Sequence, residues 1–429
     1  MESGSSSQVI WRKPFVGENP EVIYAGKPPT EKELVEQKWR PGSRTAIAVI
    51  TLVASIGICG FAGGMTTNIL NLIKTIEVSP AIGWSVAGFG AIAGCAGFAL
   101  YRINYNLSVG KVTILTINGG TWRDKGTMIQ WQNLMEKHHG FFMEAAKEFD
   151  PELEDYSMRS DFEKDDLVQP RLRAFKTLFS QHQTDLICLQ EINIRNDEKY
   201  QGKRSYLTID EIRSVLPKHF AFTFCKDPNF GETDCFVAWD ARRFEFLGMP
   251  QKMDYSDVCR RDGPDTLVLL RDRLFNKEIC VGSAHSVGFS LATVENEKNR
   301  EVAKKQGQAG DQQLDYDLEK MASEPVRGRA DLFIYAGDFN ATWVDYPERL
   351  EKMENAGFVT DKKDQKATIL DASLKLRDGI TPKAVRLDYV WTKGKKLIKI
   401  VSQTIGSVYH FYGRPSDHLA VKAVIYFKT

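Results

Sequence analysis

The chain has 429 residues, 42% hydrophobic and 26% charged, an ordinary globular composition that excludes a largely disordered protein. Its formal net charge of +1 indicates neither a strongly basic nucleic-acid binder nor an acidic tail protein. The seven cysteines are scattered and form no C-x-x-C pair, which indicates reduced thiols and argues against a disulfide framework or structural zinc.

The first segment, residues 1–45, is polar. It opens with "MESGSSSQ" and continues with Pro, Gly and charges of both signs. This composition predicts a flexible N-terminal arm that contains one short helix near residues 31–39.

Two charge-free apolar runs follow, at residues 46–73 and 81–101. Both exceed the roughly 18 residues at which a membrane-spanning helix becomes the favoured interpretation. A secretory signal would begin near the N-terminus, whereas a long polar segment comes first here. Buried helices of a soluble core are the other interpretation, but the high glycine content and the G-x-x-x-G spacing at residues 90–94 favour closely packed membrane helices. Residues 46–101 therefore predict a two-helix membrane hairpin.

The charges beside these runs predict the topology. Arg40 and Arg44 precede the first run, Arg102 and Lys111 follow the second, and the short connection "KTIEVSP" holds one basic and one acidic residue. The positive-inside bias then places the arm and the rest of the chain together on the cytoplasmic side.

Residues 102–429 predict one soluble α/β domain in which acidic and basic side chains are equally numerous. A helical stripe at residues 128–149 predicts a packed helix, and the acidic segment 144–166 predicts a solvated excursion. Short apolar runs bounded by polar residues predict strands at 111–117, 185–190, 234–239, 265–271, 278–285, 331–337, 386–391 and 419–427.

Polar residues lie at the ends of several of these runs. In "YAGDFNA", Asp338 and Asn340 follow an apolar run two positions apart, so they share one face of a strand end, and Gly337 leaves room for a ligand. Asp, Asn and Gly are also common turn residues, and each polar position has a structural explanation when taken alone. Together they favour a site for hydrolysing a phosphate ester. Its members are Asn118, Glu191, His285, Asp338, Asn340, Asp388, Asp417 and His418.

Such a reaction needs a hard divalent cation to neutralise phosphate oxygens. Glu191 is the first candidate ligand, with Asp417 and Asn118 beside it. Mg²⁺ is the expected ion, and Mn²⁺ is the alternative. Asn118 is also a candidate for contacting the substrate.

The reaction also needs an activated water and donors for the developing charge. Asp338 is the candidate for aiming the water and taking its proton, and Asn340 for holding a phosphate oxygen. His285 and His418 suit the donor role, and His285 would also contact the substrate. Asp388 would orient His418 through the other ring nitrogen.

With these motifs in this order, residues 111–427 resemble the endonuclease/exonuclease/phosphatase superfamily, which includes DNase-I-like nucleases. The matching motifs are Asn118, "LQE", the histidine of "GSAH", "GDFN", "LDYV" and "SDH". The resemblance implies a four-layer α/β sandwich: two mixed β-sheets packed face to face, helices outside, and the site at one end. It also implies the roles assigned above to Glu191, Asp338, Asn340 and the His418–Asp388 pair.

The sequence departs from the family pattern at two places. Gly120 stands where some branches carry an acidic metal-contacting residue, and the interval from Asn118 to Glu191 is longer than usual. The apolar pair at 46–101 has a resemblance of its own, to the bilobed hydrophobic segment of chlamydial inclusion-membrane proteins, which implies a host vacuole membrane.

The sequence therefore predicts a membrane-anchored, Mg²⁺-dependent phosphoesterase that attacks phosphorus in line with an activated water. Tethering raises the effective concentration of substrates in the same bilayer and favours a phospholipid such as sphingomyelin or a phosphoinositide. A nuclease or deadenylase acting on DNA or RNA is one alternative. The neutral domain does not supply the cation-rich face expected of a duplex binder, but local basic patches such as "ARRF" and "TKGKKLIK" leave this alternative open. A catalytically weak membrane-bound scaffold that recruits a partner is another.

Overall fold

A computed structural model describes eleven stretches of the chain. They are residues 22–34, 109–119, 168–192, 209–225, 235–249, 265–286, 297–344, 346–371, 383–406, 416 and 418–428. The chain divides into two compact units, residues 1–35 with 112–425 and residues 36–111 with 426–429. Of the described residues, 109–111 and 426–428 belong to the second unit. The site and its supporting helices belong to the first unit.

The strands are short and mostly apolar along their whole length. They are β1 (Ile23–Tyr24), β2 (Val109–Asn118), β3 (Leu186–Gln190), β4 (Phe220–Phe224), β5 (Phe236–Asp240), β6 (Phe244–Gly248), β7 (Thr266–Asp272), β8 (Lys277–His285), β9 (Leu332–Asp338), β10 (Ile369–Asp371), β11 (Lys383–Val385), β12 (Asp388–Lys393), β13 (Leu397–Thr404) and β14 (Val421–Lys428). All eight strand predictions coincide with strands. Continuous apolar runs are typical of strands that are covered on both faces.

The helices lie between strands along the chain. They are α1 (Val168–Gln181), α2 (Ile209–Val215), α3 (Glu297–Ala322), α4 (Glu324–Arg327) and α5 (Pro347–Asn355), with a 3-10 helix at Glu31–Glu33.

In the part of the chain that the structure describes, the first sheet has seven strands in the order β1-β4-β5-β3-β2-β14-β13. β2 and β3 are parallel, with Asn118 opposite Gln190, whereas β5 is antiparallel to β3 and to β4. The sheet is therefore mixed, and the parallel pair brings two carboxyl ends to the same edge.

The second sheet has five described strands in the order β12-β9-β8-β7-β6, and β10 and β11 form a separate pair. β8 and β9 are parallel, with His285 opposite Asp338. β12 is antiparallel to β9, with Asp388 opposite Asp338. The register of three strands therefore places three of the predicted site residues at one level of the sheet.

The two sheets face each other through their central strands. Gln190 on β3 donates its amide to the Ser283 hydroxyl on β8 at 2.9 Å, and this hydroxyl donates to the Leu189 carbonyl at 3.1 Å. Both polar side chains are fully buried, so these bonds satisfy groups that would otherwise destabilise the interface.

Helices cover the outer face of each sheet and complete two hydrophobic cores. Phe175 and Phe179 of α1 and Ile212 of α2 pack in one core with residues of the first sheet. Leu314 of α3 and Met353 of α5 pack in the other with residues of the second sheet. The predicted four-layer α/β sandwich is confirmed for the described residues.

The prediction of a flexible arm at residues 1–45 needs one correction. Ile23 and Tyr24 pair with Phe222 and Ala221 of β4, and Ile23 is buried. The physical reason is that the short apolar sequence "VIY" inside a polar segment can extend an open sheet edge and bury its isoleucine. Only residues 31–34 of the predicted helix at 31–39 are described. Within them, a 3-10 helix spans Glu31–Glu33 and follows Thr30.

Three predictions fall outside the described residues: the membrane hairpin at 46–101, the helix at 128–149 and the acidic excursion at 144–166. Across the stretches given above, no helix combines the length and the apolar character that a bilayer span requires.

Candidate active site

Six of the predicted site residues converge at one end of the sandwich. Asn118 and Glu191 come from the carboxyl ends of β2 and β3, His285 and Asp338 from those of β8 and β9. Asp388 begins β12, and His418 lies just before β14. The site thus draws side chains from both sheets.

The carboxylate of Asp338 is the centre of this arrangement. Its Oδ2 accepts a hydrogen bond from Asn118 Nδ2 at 2.9 Å and lies 3.9 Å from the Nε2 atoms of both His285 and His418. Its Oδ1 accepts the backbone N–H of Asn340 at 2.8 Å. Asp338 itself is only 2% exposed, so its charge is balanced by these neighbours and not by bulk water.

Burial raises the pKa of Asp338 above the ordinary value. Among the neighbours, His418 lowers the pKa, the charge of Asp388 raises it, and His285 and the hydrogen bond from the Asn340 N–H lower it. The net shift of the Asp338 pKa is upward. A carboxylate with a raised pKa is a stronger proton acceptor, which suits a general base that works near neutral pH.

His418 and Asp388 form a buried dyad. His418 Nδ1 lies 2.8 Å from Asp388 Oδ2, the contact that the sequence predicted through the second ring nitrogen. Donation from Nδ1 fixes the ring and leaves Nε2 directed toward Asp338. Asp388 Oδ1 is buried with no hydrogen-bond partner among the described residues, so the dyad is the main support of this carboxylate.

Glu191 lies at the solvent side of the cluster. Its Oε1 is 3.2 Å from Asn118 Nδ2 and 3.4 Å from His285 Nε2, and its side chain is 24% exposed. Glu191 has a φ of 51°, a left-handed conformation that non-glycine residues seldom adopt. Such strain is typical of functional positions, where the surrounding structure holds a side chain in a set direction.

The oxygen chemistry at Glu191 fits a hard cation. A partly exposed carboxylate such as this one can be the main protein ligand of Mg²⁺, which usually keeps several waters. The predicted ligand Asp417 lies outside the described residues. Among the described residues, no set of three or more His, Cys, Asp or Glu side chains is arranged to hold an ion, so the fit to a cation rests on the Glu191 carboxylate and the oxygen atoms around it.

Asn340 is held beside Asp338 by its own backbone and side chain. It has a φ of 45°, and its Nδ2 donates to the Ser286 carbonyl at 3.0 Å. Arg349 supports this turn by donating to the Phe339 carbonyl at 2.7 Å. One amide hydrogen of Asn340 remains for a ligand, and the phosphate contact stays a prediction.

Gly337 allows β8 and β9 to approach closely next to the site. Its φ is +155°, and a Cβ atom at this position would lie 1.9 Å from the Ala284 carbonyl oxygen. Any side chain here would separate the two strands that carry His285 and Asp338.

Some supporting residues were not predicted from the sequence. Ser416 donates to the Asn118 carbonyl at 2.6 Å and accepts the His418 N–H at 3.0 Å. Thr368 accepts the N–H groups of Leu387 and Asp388 at 3.0 and 3.2 Å. The "SDH" motif contains Ser416 and so offered a signal, whereas Thr368 belongs to no motif.

Solved structures similar to this chain include endonuclease/exonuclease/phosphatase proteins. One from Bacteroides vulgatus is 14% identical, with 74% of this chain and 100% of that chain covered and a TM-score of 0.42. The human Nocturnin catalytic domain is 14% identical, covering 74% and 95% with a TM-score of 0.43. ANGEL2, described as a 2',3'-cyclic phosphatase, is 13% identical, covering 74% and 96% with a TM-score of 0.43. No protein-family model matches the chain, and no curated protein matches it.

Proposed function

We propose that this chain is a divalent-metal-dependent phosphoesterase of the endonuclease/exonuclease/phosphatase type. The observation that carries the proposal is the position of the buried Asp338 carboxylate, between the imidazoles of His285 and His418 and bonded to Asn118. A carboxylate that accepts a proton, beside groups that stabilise an oxyanion, is what in-line attack of water on phosphorus requires.

Asp338 is the proposed general base. Its Oδ2 takes a proton from the attacking water as the water oxygen bonds to phosphorus and the ester oxygen leaves. The raised pKa of Asp338 favours this transfer. The Asn118 amide holds the carboxylate in place while its protonation changes.

His418 and His285 are the proposed donors to the phosphoryl oxygens. The Asp388 carboxylate stabilises positive charge on the His418 ring, so Nε2 can donate as negative charge accumulates on the substrate. Glu191, with Asp417 and Asn118 as further predicted ligands, would hold Mg²⁺, or Mn²⁺ in its place. When bound, the ion would neutralise phosphate oxygens.

We further propose that the enzyme works at a membrane surface, anchored by the hairpin at residues 46–101, with its catalytic domain on the cytoplasmic side. The two charge-free runs and the flanking arginines support this location, and the resemblance to inclusion-membrane proteins points to a host vacuole membrane. A phospholipid is then the favoured substrate, because tethering raises the effective concentration of substrates in the same bilayer and the balanced charge of the domain does not favour nucleic acid.

A substrate panel tests these proposals. The full-length chain in mixed micelles with Mg²⁺ is offered sphingomyelin, phosphoinositides, DNA, poly(A) and bis(p-nitrophenyl) phosphate, each with and without EDTA. We expect EDTA-sensitive hydrolysis of a lipid substrate. EDTA-sensitive cleavage of nucleic acid alone would replace the lipid assignment with a nuclease, and no turnover of any substrate would favour the scaffold.

Asp338→Asn is the informative variant in this panel. It keeps the side-chain volume but removes the proton acceptor, so activity should fall about 1000-fold. The matched control is Asp331→Asn, which removes a carboxylate just before the opposite end of β9, where it contacts Lys277. Equal activities of the two variants would contradict the role of Asp338.

A further inference from the structure

A buried polar network lies behind His285, between the second sheet and α3. It consists of Asp265, Asp317 and Tyr335, which are 1%, 0% and 1% exposed. Isolated acids in a protein core are destabilising, and an apolar core of the same volume would usually be at least as stable. The network therefore calls for an explanation beyond packing.

The network begins where the backbone ladder ends. β7 starts at Thr266 opposite Ser283, so its pairing with β8 stops before His285. The Asp265 side chain takes over: its Oδ1 accepts the backbone N–H of His285 at 2.8 Å. On the other side of the same residue, Gln313 of α3 donates to the His285 carbonyl at 3.1 Å.

Tyr335 of β9 holds the Asp265 carboxylate in this orientation. Its hydroxyl lies 2.9 Å from Asp265 Oδ2 and also contacts the Asp317 carboxylate of α3. Burial, together with both acids, raises the pKa of Tyr335, so it stays a neutral donor. The contacts thus run from α3 through β9 to the loop before β7 and reach the His285 backbone.

We propose that Asp265, Tyr335 and Asp317 form a positioning network that fixes the His285 backbone and so holds its imidazole between Glu191 and Asp338. The imidazole Nε2 lies 3.4 Å from Glu191 Oε1 and 3.9 Å from Asp338 Oδ2, distances that a small backbone movement would change. The proposal rests on the proposed function, because His285 matters to the rate only if this site hydrolyses a phosphate ester.

Two substitutions of Asp265 separate hydrogen bonding from charge. Asp265→Asn keeps an Oδ1 acceptor for the His285 N–H. Its amide can donate to the Tyr335 oxygen, whose single proton then serves Asp317. Asp265→Leu has a similar size but no acceptor. We expect a fall of about tenfold in kcat with unchanged KM for Asp265→Leu, and activity within about twofold of wild type for Asp265→Asn.

The control is Glu278→Gln, at the opposite end of β8 from His285. It alters a buried carboxylate of the same strand without touching the network, so its kcat should match that of wild type. Tyr335→Phe serves as a second variant of the network, because it removes only the hydroxyl. It should lower kcat severalfold, and it decides the question if Asp265→Leu does not fold.

Amide hydrogen exchange of His285, measured by mass spectrometry on the full-length chain, gives a readout that is independent of activity. Exchange should be faster in Asp265→Leu and Tyr335→Phe and unchanged in Asp265→Asn. Wild-type kcat and wild-type exchange in the folded variants would overturn the proposal, as would a kcat for Asp265→Asn as low as that for Asp265→Leu. If the wild type hydrolyses no phosphate ester, the proposed function fails and exchange alone decides whether the network positions His285.

Discussion

At the scale of single residues, the site combines features that are costly for folding. Glu191 and Asn340 have positive φ values, and Asp338 is a buried carboxylate with a raised pKa. Each feature by itself destabilises the fold. Neighbouring side chains stabilise this region: Asn118 donates a hydrogen bond to Asp338, and Arg349 donates to the Phe339 carbonyl beside Asn340. Strain and perturbed pKa values in one small region are a mark of functional sites.

Gly337→Ala tests the closest backbone contact at the site. The added methyl group would lie 1.9 Å from the Ala284 carbonyl oxygen, so the strands must separate. We expect a loss of roughly 3 kcal/mol in the free energy of unfolding, measured by chemical denaturation. Gly357→Ala is the control, because it also has a positive φ, +83°, but its nearest contact is 3.5 Å away. It should lose only about 1 kcal/mol, and an equal loss in both variants would contradict the steric explanation.

Most members of the site could be predicted from the sequence, because Asp, Asn and His at the ends of apolar strands are easy to recognise. Asn118, Glu191, His285, Asp338, Asp388 and His418 were found in this way and lie together. Residues such as Asp265 and Thr368 were not, because their roles depend on partners far away along the chain. Tyr335 offered a weak signal as the one hydroxyl-bearing side chain in an apolar strand.

At the scale of elements, the parallel pairing of β8 with β9 is decisive for the site. The same register that places His285 opposite Asp338 pairs Ile279 with Leu332 at the far end. At that far end, Glu278 bonds Arg329 and Arg271. These ion pairs act on stability at a distance from the chemistry.

Glu278→Gln should change how stability depends on pH. Burial alone would raise the pKa of Glu278, but hydrogen bonds and charge from Arg329 and Arg271 outweigh it and lower the pKa below 4.5. A lowered folded-state pKa means that the stabilisation is present above the unfolded-state value and is lost as pH falls through the folded-state value. The wild type should thus lose stability below about pH 4.5, and the variant should show a flatter curve there and about 1 kcal/mol less stability at pH 7. Parallel curves from urea denaturation between pH 3 and 7 would contradict this.

The sequence predicted where the strands lie along the chain, but it did not predict their order in the sheets. Apolar runs mark strands because both faces of these sheets are covered. Nothing in the runs says that β14 lies beside β2 or that β12 lies beside β9, since both neighbours are distant along the chain. The separation into two mixed sheets came only with the family resemblance.

At the scale of the whole molecule, the proposed membrane anchor can be tested by alkaline carbonate extraction. The full-length chain expressed in cells should stay in the membrane pellet, because two apolar helices would remain in the bilayer. A variant in which residues 46–101 are replaced by a Gly-Ser linker should be released and should keep its activity on bis(p-nitrophenyl) phosphate. Release of the unmodified chain would contradict the hairpin.

The position of β1 at the edge of the first sheet determines how such an anchor would be connected to the domain. β1 and β2 belong to the same sheet, with β4, β5 and β3 between them, so residues 35–108 form an insertion between two strands of one sheet. An anchor inserted in this way is attached to the enzyme at both ends, whereas a terminal tail is attached at one. Complete release of the domain from the proposed anchor by proteolysis would therefore need one cleavage on each side of the hairpin.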